Sequence, residues 1–351
     1  MDLTEFHPII QEWFTRALGA PSEPQRKGWP LFRAGHDVLI AAPTGSGKTL
    51  SAFLACLDRL FRLSVEGELG DATKVVYVSP LKALGNDVQK NLLQPLAEIS
   101  ALAREQGLEP KPIRVLVRTG DTPASERQGM VKRPPHVLIT TPESLFLYLT
   151  AARARETLRE VETLVVDEIH ALARDKRGSH FTLSMERLKA LAHGRIQLIG
   201  LSATQKPLED IGKFLRGGDV GRAPLQVVQV GHVRPWELSI EIPDEELSAV
   251  ATHEMWGTVY DRIEALTQQY RTLLVFGNTR RLAERVAHDL GERLGQDKTA
   301  AHHGSMSREL RLKAEQKLKA GELRVMVATA SLELGIDIGS VDLVCQLGTP
   351  R

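Results

Sequence analysis

Two clusters in this sequence have residue types and spacings that suit chemistry on a phosphorylated ligand. The first is Ala42-Pro43-Thr44-Gly45-Ser46-Gly47-Lys48-Thr49. Glycines at 45 and 47 let the backbone turn its N–H groups inward around phosphate oxygens. Lys48 brings a compact positive charge to the β- and γ-phosphates of a nucleotide, and the Thr49 hydroxyl suits Mg²⁺. Ala42 stands where the general phosphate-loop pattern has its first glycine. The plain alternative is a glycine-rich turn closed by an N-capping threonine. The second cluster, Asp167-Glu168-Ile169-His170, directly follows the apolar run Leu164-Val165-Val166. Carboxylates at the C-terminal end of a buried strand sit where open α/β sheets bind ligands. Asp167 there can contact Mg²⁺ through water, and Glu168 can orient and deprotonate an attacking water. The alternative is a strand that ended where polar residues resumed. His170 alone reads as a surface histidine. The other histidines lack metal-ligand spacing, so no metal besides Mg²⁺ is expected.

The elements that must position these residues follow from hydropathy. Val38–Ala42, Val75–Ser79, Val115–Arg118, Val137–Thr140, Thr163–Val166 and Leu198–Leu201 are near-continuous apolar runs of strand length. Runs of that kind predict strands buried on both faces, as in a parallel sheet covered by helices. Between them lie helical patterns, clearest in Leu50, Phe53, Leu54, Leu57, Leu60 and Phe61. The alternation predicts a doubly wound α/β domain, with the phosphate loop between its first strand and first amphipathic helix. The stretch Gly217–Asp244, rich in Gly, Pro and Val, reads as a boundary region. After Thr252 the rhythm resumes, with strands expected at Leu273–Phe276, Ala300–His302, Val325–Ala328 and Val341–Gln346 and helices near Thr279–Arg293 and Ser307–Ala320. This gives a first domain over 1–230, a linker over 231–250 and a second, incomplete α/β domain over 251–351.

The 351 residues carry 45 Lys+Arg against 44 Asp+Glu, which excludes a histone-like polycation and an acidic tail protein. A local basic groove for nucleic acid remains compatible with that balance. Only Cys56 and Cys345 are present, too few for a disulfide scaffold or a four-cysteine zinc site, and a reducing compartment fits. No apolar run approaches the roughly 20 residues that span a bilayer. The acidic start Met1-Asp2-Leu3-Thr4-Glu5 lacks the regions of a signal peptide. A cytoplasmic, non-membrane protein is expected.

Together with Ser202-Ala203-Thr204, the phosphate loop and the Asp167–His170 box resemble a superfamily 2 DExH-box helicase. Further segments match the same plan in order: Gln25 in Pro24-Gln25-Arg26; Ser79-Pro80-Leu81-Lys82-Ala83-Leu84; Gly120-Asp121-Thr122-Pro123; Thr140-Thr141-Pro142-Glu143-Ser144; Phe276, Asn278, Thr279 and Arg280; and Ala328 to Asp337. The wording of Phe6-His7-Pro8, Pro80–Leu84 and Leu332-Glu333-Leu334-Gly335-Ile336-Asp337 is most similar to the large helicase-related (Lhr) proteins. The resemblance covers nearly the whole chain.

The resemblance implies two RecA-like P-loop NTPase domains with parallel sheets and ATP between them. It implies Lys48, Asp167, Glu168 and His170 as catalytic residues. Gln25, Thr44, Gly45, Ser46, Gly47, Lys48, Thr49, Gly335 and Asp337 would bind nucleotide, and Thr49 and Asp167 would hold Mg²⁺. Pro80, Lys82, Gly120, Thr141, Ser144, Arg280 and Thr329 would grip the nucleic-acid backbone, with Ser202 and Thr204 relaying between the two sites. Each keeps a simpler reading. Gln25 offers a donor and an acceptor to an adenine edge, or is an exposed loop residue. Thr141 and Ser144 bind phosphate without reading sequence, or Thr141 caps the following helix. Ser202 and Thr204 form a relay, or a polar strand end. Lys82 and Arg118 add charge to the groove, or are solvated. His302-His303-Gly304-Ser305 reads as a turn on the strand backbone, since neighbouring strand residues face opposite ways. Glu315 and Lys319 read as a solvated helix pair.

By the same resemblance the activity is ATP-dependent 3′-to-5′ translocation on single-stranded DNA with unwinding of DNA or DNA–RNA duplexes, in a DNA-repair setting. The family continues after Leu347-Gly348-Thr349-Pro350-Arg351 into a Gln-x-x-Gly-Arg-x-Gly-Arg motif that supplies an arginine to the γ-phosphate. The sequence is therefore expected to be a piece of a longer protein with slowed turnover, since such an arginine is worth about 10³–10⁵ in rate. A non-catalytic ATP- and nucleic-acid-binding module is the competing reading.

Overall fold

The computed structural model describes residues 3–43, 45–80, 89–173, 176–203, 207–218, 221, 223–231, 237–243, 252–329 and 341–349. The chain divides into two units, Met1–Val233 and Arg234–Arg351.

The first unit is built on seven strands: β1 (Val38–Ala41), β2 (Val75–Val78), β3 (Val115–Arg118), β4 (Val137–Thr140), β5 (Thr163–Val166), β6 (Gln197–Ser202) and β7 (Gln226–Gln229). They lie in the order β3-β4-β2-β5-β6-β1-β7, every neighbouring pair parallel. The helices are α1 (Pro8–Leu18), α2 (Glu23–Arg33), α3 (Lys48–Val65), α4 (Gln94–Glu105), α5 (Ala124–Lys132), α6 (Pro142–Thr150), α7 (Ala152–Glu156), α8 (Ile169–Leu172), α9 (Lys176–Leu191) and α10 (Leu208–Arg216).

Alternate residues of each central strand enter different cores. Val38 and Ile40 pack with Phe14, Trp29, Phe53 and Ile99, whereas Leu39 packs with Leu145, Phe181 and Ile211. Helices α1–α4 therefore cover one face, and α6, α9 and α10 the other. Each large side chain buried this way contributes about 1.5–3 kcal/mol. This explains why β1, β2, β4 and β5 read as unbroken apolar runs.

Two sequence expectations need correction. β3 is an edge strand and only partly buried, with Leu116 36% exposed, so its apolar run does not mark burial on both faces. Gln226–Gln229, inside the stretch read as a boundary, is the opposite edge and pairs with β1. Its two glutamines fit the exposed side of an edge and hide the strand from a hydropathy reading.

The second unit has four parallel strands, β8 (Leu273–Gly277), β9 (Thr299–His302), β10 (Val325–Ala328) and β11 (Leu343–Leu347). Their order is β11-β8-β10-β9. Helices α11 (His253–Gln269), α12 (Arg280–Leu294) and α13 (Arg308–Lys319) accompany them. Each begins on a hydroxyl cap, with Thr252, Thr279 and Ser307 accepting from Met255, Leu282 and Leu310 N–H. His302 Nε2 meets Glu315 of α13 at 3.1 Å, and His303 Nε2 meets Glu284 of α12 at 2.8 Å. The adjacent histidines thus serve different helices. Glu315, with a side chain 15% exposed, is a partner of a buried histidine and not merely half of a solvated pair.

One buried histidine makes the first unit sensitive to acid. His136, just before β4, is 1% exposed, and its Nδ1 accepts from the Arg114 N–H at 2.9 Å. Burial first, and then the Arg114 charge, lower its pKa to about 4. The neutral ring is favoured in the fold relative to an unfolded value near 6.5. This stability is complete above about pH 6.5 and is lost as pH falls toward 4. Urea titrations should show roughly 2 kcal/mol less stability at pH 5 than at pH 7.5 from this group. His136→Gln should remove that increment; an undiminished acid loss in the variant would contradict this assignment.

Candidate active site

All strands of the first sheet end on the same side, so topology decides which loops are neighbours. β6 lies between β1 and β5. The loop after β1, Ser202 at the end of β6 and the carboxylates after β5 therefore meet.

The loop after β1 is shaped by two left-handed glycines, Gly45 at φ +78° and Gly47 at φ +84°. Gly47 caps α3, and Lys48 is the first residue of that helix. A Cβ on Gly47 would lie 3.0 Å from Gln25 Nε2 and 3.1 Å from Ser22 Oγ. The N-terminus of α3 adds partial positive charge beside this loop, which suits a phosphate. Ser46 Oγ is buried and has no hydrogen-bond partner among the described residues. An orphaned hydroxyl beside such a loop fits a phosphate ligand. Thr49 is half-buried on the first turn of α3. Thr44 lies outside the described residues.

Gln25 is placed by α2, which the Trp29 indole ties to α3 by donating to Ser51 O at 3.1 Å. It is buried, not an exposed loop residue. Its Oε1 accepts from the Ser22 N–H at 2.8 Å, so only its Nε2 end is turned to the loop.

Asp167 follows β5, its N–H donating to Val78 O at 2.8 Å. Its Oδ1 accepts from the Glu168 N–H at 2.9 Å, and its Oδ2 accepts from the Tyr77 hydroxyl. Glu168 has φ +45°, the one non-glycine positive φ among the described residues. A left-handed glutamate is strained by roughly 1–2 kcal/mol, and such strain gathers at functional sites. The turn directs the Glu168 carboxylate between two bases. Oε1 is 3.7 Å from Lys48 Nζ, and Oε2 is 3.4 Å from His170 Nδ1. Lys48 and Glu168 side chains are 5% and 10% exposed, so this is a buried ion pair. Burial and then the neighbouring Glu168 charge push Asp167 up to about 6, against the Tyr77 hydrogen bond and Lys48.

His170 is buried, which corrects the surface reading. Its Nδ1 accepts from the Ala203 N–H at 3.3 Å and lies 3.3 Å from Ser202 Oγ. One imidazole thus connects the carboxylate box to the end of β6. Thr204 lies outside the described residues. Among the described residues no three His, Cys, Asp or Glu side chains group as a metal site. The oxygen donors Thr49 and Asp167 suit Mg²⁺, which commonly takes few protein ligands and keeps water and phosphate oxygens.

The other expected residues of the first unit that are described stand on different elements. Thr141 caps α6, accepting from the Ser144 N–H, and its Oγ1 donates to Ser144 Oγ at 3.2 Å. Both are buried, so their hydroxyls serve the helix end, as the capping alternative had it. Arg127, which no sequence signal singled out, braces the loop after β3 by donating to Thr122 O and Gly120 O, each at 2.7 Å. Arg118 lies over the Tyr148 ring at 4.7 Å, is partly buried, and has no ion-pair partner among the described residues. Pro80 lies in a bend two residues after β2. In the second unit Arg280 is exposed at the start of α12, near Gly304. The Thr329 N–H donates to His302 O at 3.2 Å. Lys82, Gly335 and Asp337 lie outside the described residues.

Gly47→Ala tests the loop. It forces an L-residue into left-handed backbone and displaces Gln25 or Ser22, so affinity for a fluorescent ATP analogue should fall at least about tenfold. Unchanged affinity would contradict the cradle.

The DEAD/DEAH box helicase model matches residues 22–211, and the helicase conserved C-terminal domain matches residues 258–351. Lhr-Core protein 2 of Thermococcus barophilus is 47% identical, over 97% of this chain and 40% of its own length. Lhr-Core of Methanocaldococcus jannaschii is 46% identical with the same coverage. The structure of Mycobacterium smegmatis helicase Lhr, bound to ssDNA and AMP-PNP, superposes with a TM-score of 0.84 at 46% identity over 100% of this chain and 45% of that one. The chain spans about two fifths of the length of the curated Lhr-Core relatives. With a RecA-like fold and these matches, the chain belongs to the DEAD/DEAH box helicases, and its relatives there are Lhr helicases.

Proposed function

We propose that this chain is an ATP-hydrolysing motor of the Lhr type, coupling its nucleotide cycle to movement on single-stranded nucleic acid and to duplex unwinding. The observation that carries this is the meeting of Lys48, Asp167 and Glu168 beside the loop that holds the orphaned Ser46 hydroxyl. The backbone N–H groups of Gly45–Thr49 bind the phosphates, and Lys48 exchanges its Glu168 partner for the β- and γ-oxygens. That exchange releases Glu168 to orient the attacking water and take its proton. Thr49 and Asp167 would hold Mg²⁺, which would supply positive charge to the phosphate oxygens. Gln25 Nε2 is the group offered to the base.

His170 and Ser202 link Glu168 to the end of β6, which makes them the relay from nucleotide to nucleic acid. Pro80, Gly120, Thr141 and Ser144 in the first unit, with Arg280 and Thr329 in the second, contact the strand backbone. For Thr141 and Ser144 that contact falls to the helix terminus they shape as much as to their hydroxyls. The ssDNA and AMP-PNP in the Mycobacterium smegmatis Lhr structure support single-stranded DNA and ATP as ligands here. Polarity 3′ to 5′, DNA and DNA–RNA duplex substrates and a role in DNA repair complete the reading. Cytoplasmic residence accords with two free cysteines and with the absence, among the described residues, of a helix long and apolar enough to cross a membrane.

Single-turnover ATP hydrolysis separates a motor from a nucleotide-binding module. Glu168→Gln should bind ATP as the wild type does and hydrolyse it about 10²–10⁴-fold more slowly. Equal rates would leave a binding module as the correct description.

A further inference from the structure

Tyr77 lies in the β2 run Val75–Val78, which pattern reading assigns wholly to the core. It is 3% exposed, and its ring is stacked on Phe53 of α3 at 4.6 Å and 24°. β2 pairs with β5 so that Tyr77 faces Val165 and Val78 faces Val166. From there the phenol reaches past the end of β5 and donates to Asp167 Oδ2. A phenylalanine would fill the same space, so packing alone does not call for the hydroxyl.

The rest of the Asp167 environment gives that hydroxyl a task. Oδ1 is fixed by the Glu168 N–H at 2.9 Å, inside the left-handed turn that aims Glu168 at Lys48. With Oδ2 fixed by Tyr77, the carboxylate is held at both oxygens and cannot rotate without losing one bond. A carboxylate has about four lone-pair sites, so two stay available in a set direction. Outer partners of this kind orient metal ligands, and their loss typically costs about 10–100-fold in metal affinity or activity.

We infer that Tyr77 is a positioning residue for the nucleotide–Mg²⁺ site, fixing the Asp167 carboxylate through its phenol and, through the Asp167–Glu168 bond, the turn that carries the base. This rests on the ATP–Mg²⁺ reading above.

The test is Tyr77→Phe, followed by binding of a fluorescent ADP analogue across a Mg²⁺ titration and again in EDTA, with steady-state ATPase alongside. The Mg²⁺ half-saturation point should rise at least threefold and kcat fall about tenfold, with KM for ATP and metal-free ADP affinity within twofold of wild type. Phe53→Leu, which loosens the ring's support but keeps the phenol, should shift the Mg²⁺ dependence the same way by less. An unchanged Mg²⁺ half-saturation in both variants, or a loss of metal-free binding as large as the loss with Mg²⁺, would overturn the inference. If wild-type binding ignored Mg²⁺ altogether, the ATP–Mg²⁺ reading itself would fail.

Discussion

A lysine and a glutamate face each other, both nearly out of water, at the ends of strands in a parallel sheet. Removing two charges from solvent costs several kcal/mol per ion, and a single contact at 3.7 Å repays only part of it. Such a pair is poor stabilising material. On the function proposed above it is a stand-in, with Lys48 kept for phosphate oxygens and Glu168 for a water. The Gly47 cap brings Lys48 to this point as the first residue of α3. The left-handed backbone of Glu168 and its bond to the Asp167 carboxylate hold the turn that presents the glutamate. Much of the first unit is the apparatus that keeps these two groups where a fold left to itself would not put them.

Strand order performs the sorting. β1, β6 and β5 are consecutive in space, and they carry the phosphate loop, Ser202 and the carboxylate box. β4 and β3 lie beyond β2 and carry the Thr141 and Gly120 loops. Nucleotide chemistry and the proposed backbone contacts thus occupy separate stretches of one sheet edge. β2 stands between them and reaches back into the nucleotide side through Tyr77. His170 offers a second, shorter connection, from Glu168 to the end of β6.

What could be read beforehand depended on whether a residue's role is local. Gly45, Gly47 and Lys48 declare themselves, since few structures other than a phosphate loop need that order between a strand and a helix. The central strands were equally legible, because burial on both faces leaves an unbroken apolar run. β7 was not, as Gln226 and Gln229 give an edge strand no hydropathy signal. Tyr77 was hidden for the opposite reason: an aromatic in a buried strand looks like packing, and only the register with β5 reveals where its oxygen goes. His170 and Glu315, taken alone, read as surface residues because their partners, Ser202 and His302, are brought up by tertiary contacts. Thr141 and Ser144 carried two readings from the start. Their bonding to each other and to the first turn of α6 favours the capping one for their side chains.

The most direct measurement is a crystal structure of this protein grown with Mg²⁺ and AMP-PNP. The account predicts the triphosphate in the loop from Gly45 to Thr49, with Lys48 Nζ withdrawn from Glu168 and hydrogen-bonded to β- and γ-oxygens. Phosphates seated elsewhere, or a Lys48 still paired with Glu168 beneath a bound nucleotide, would contradict it.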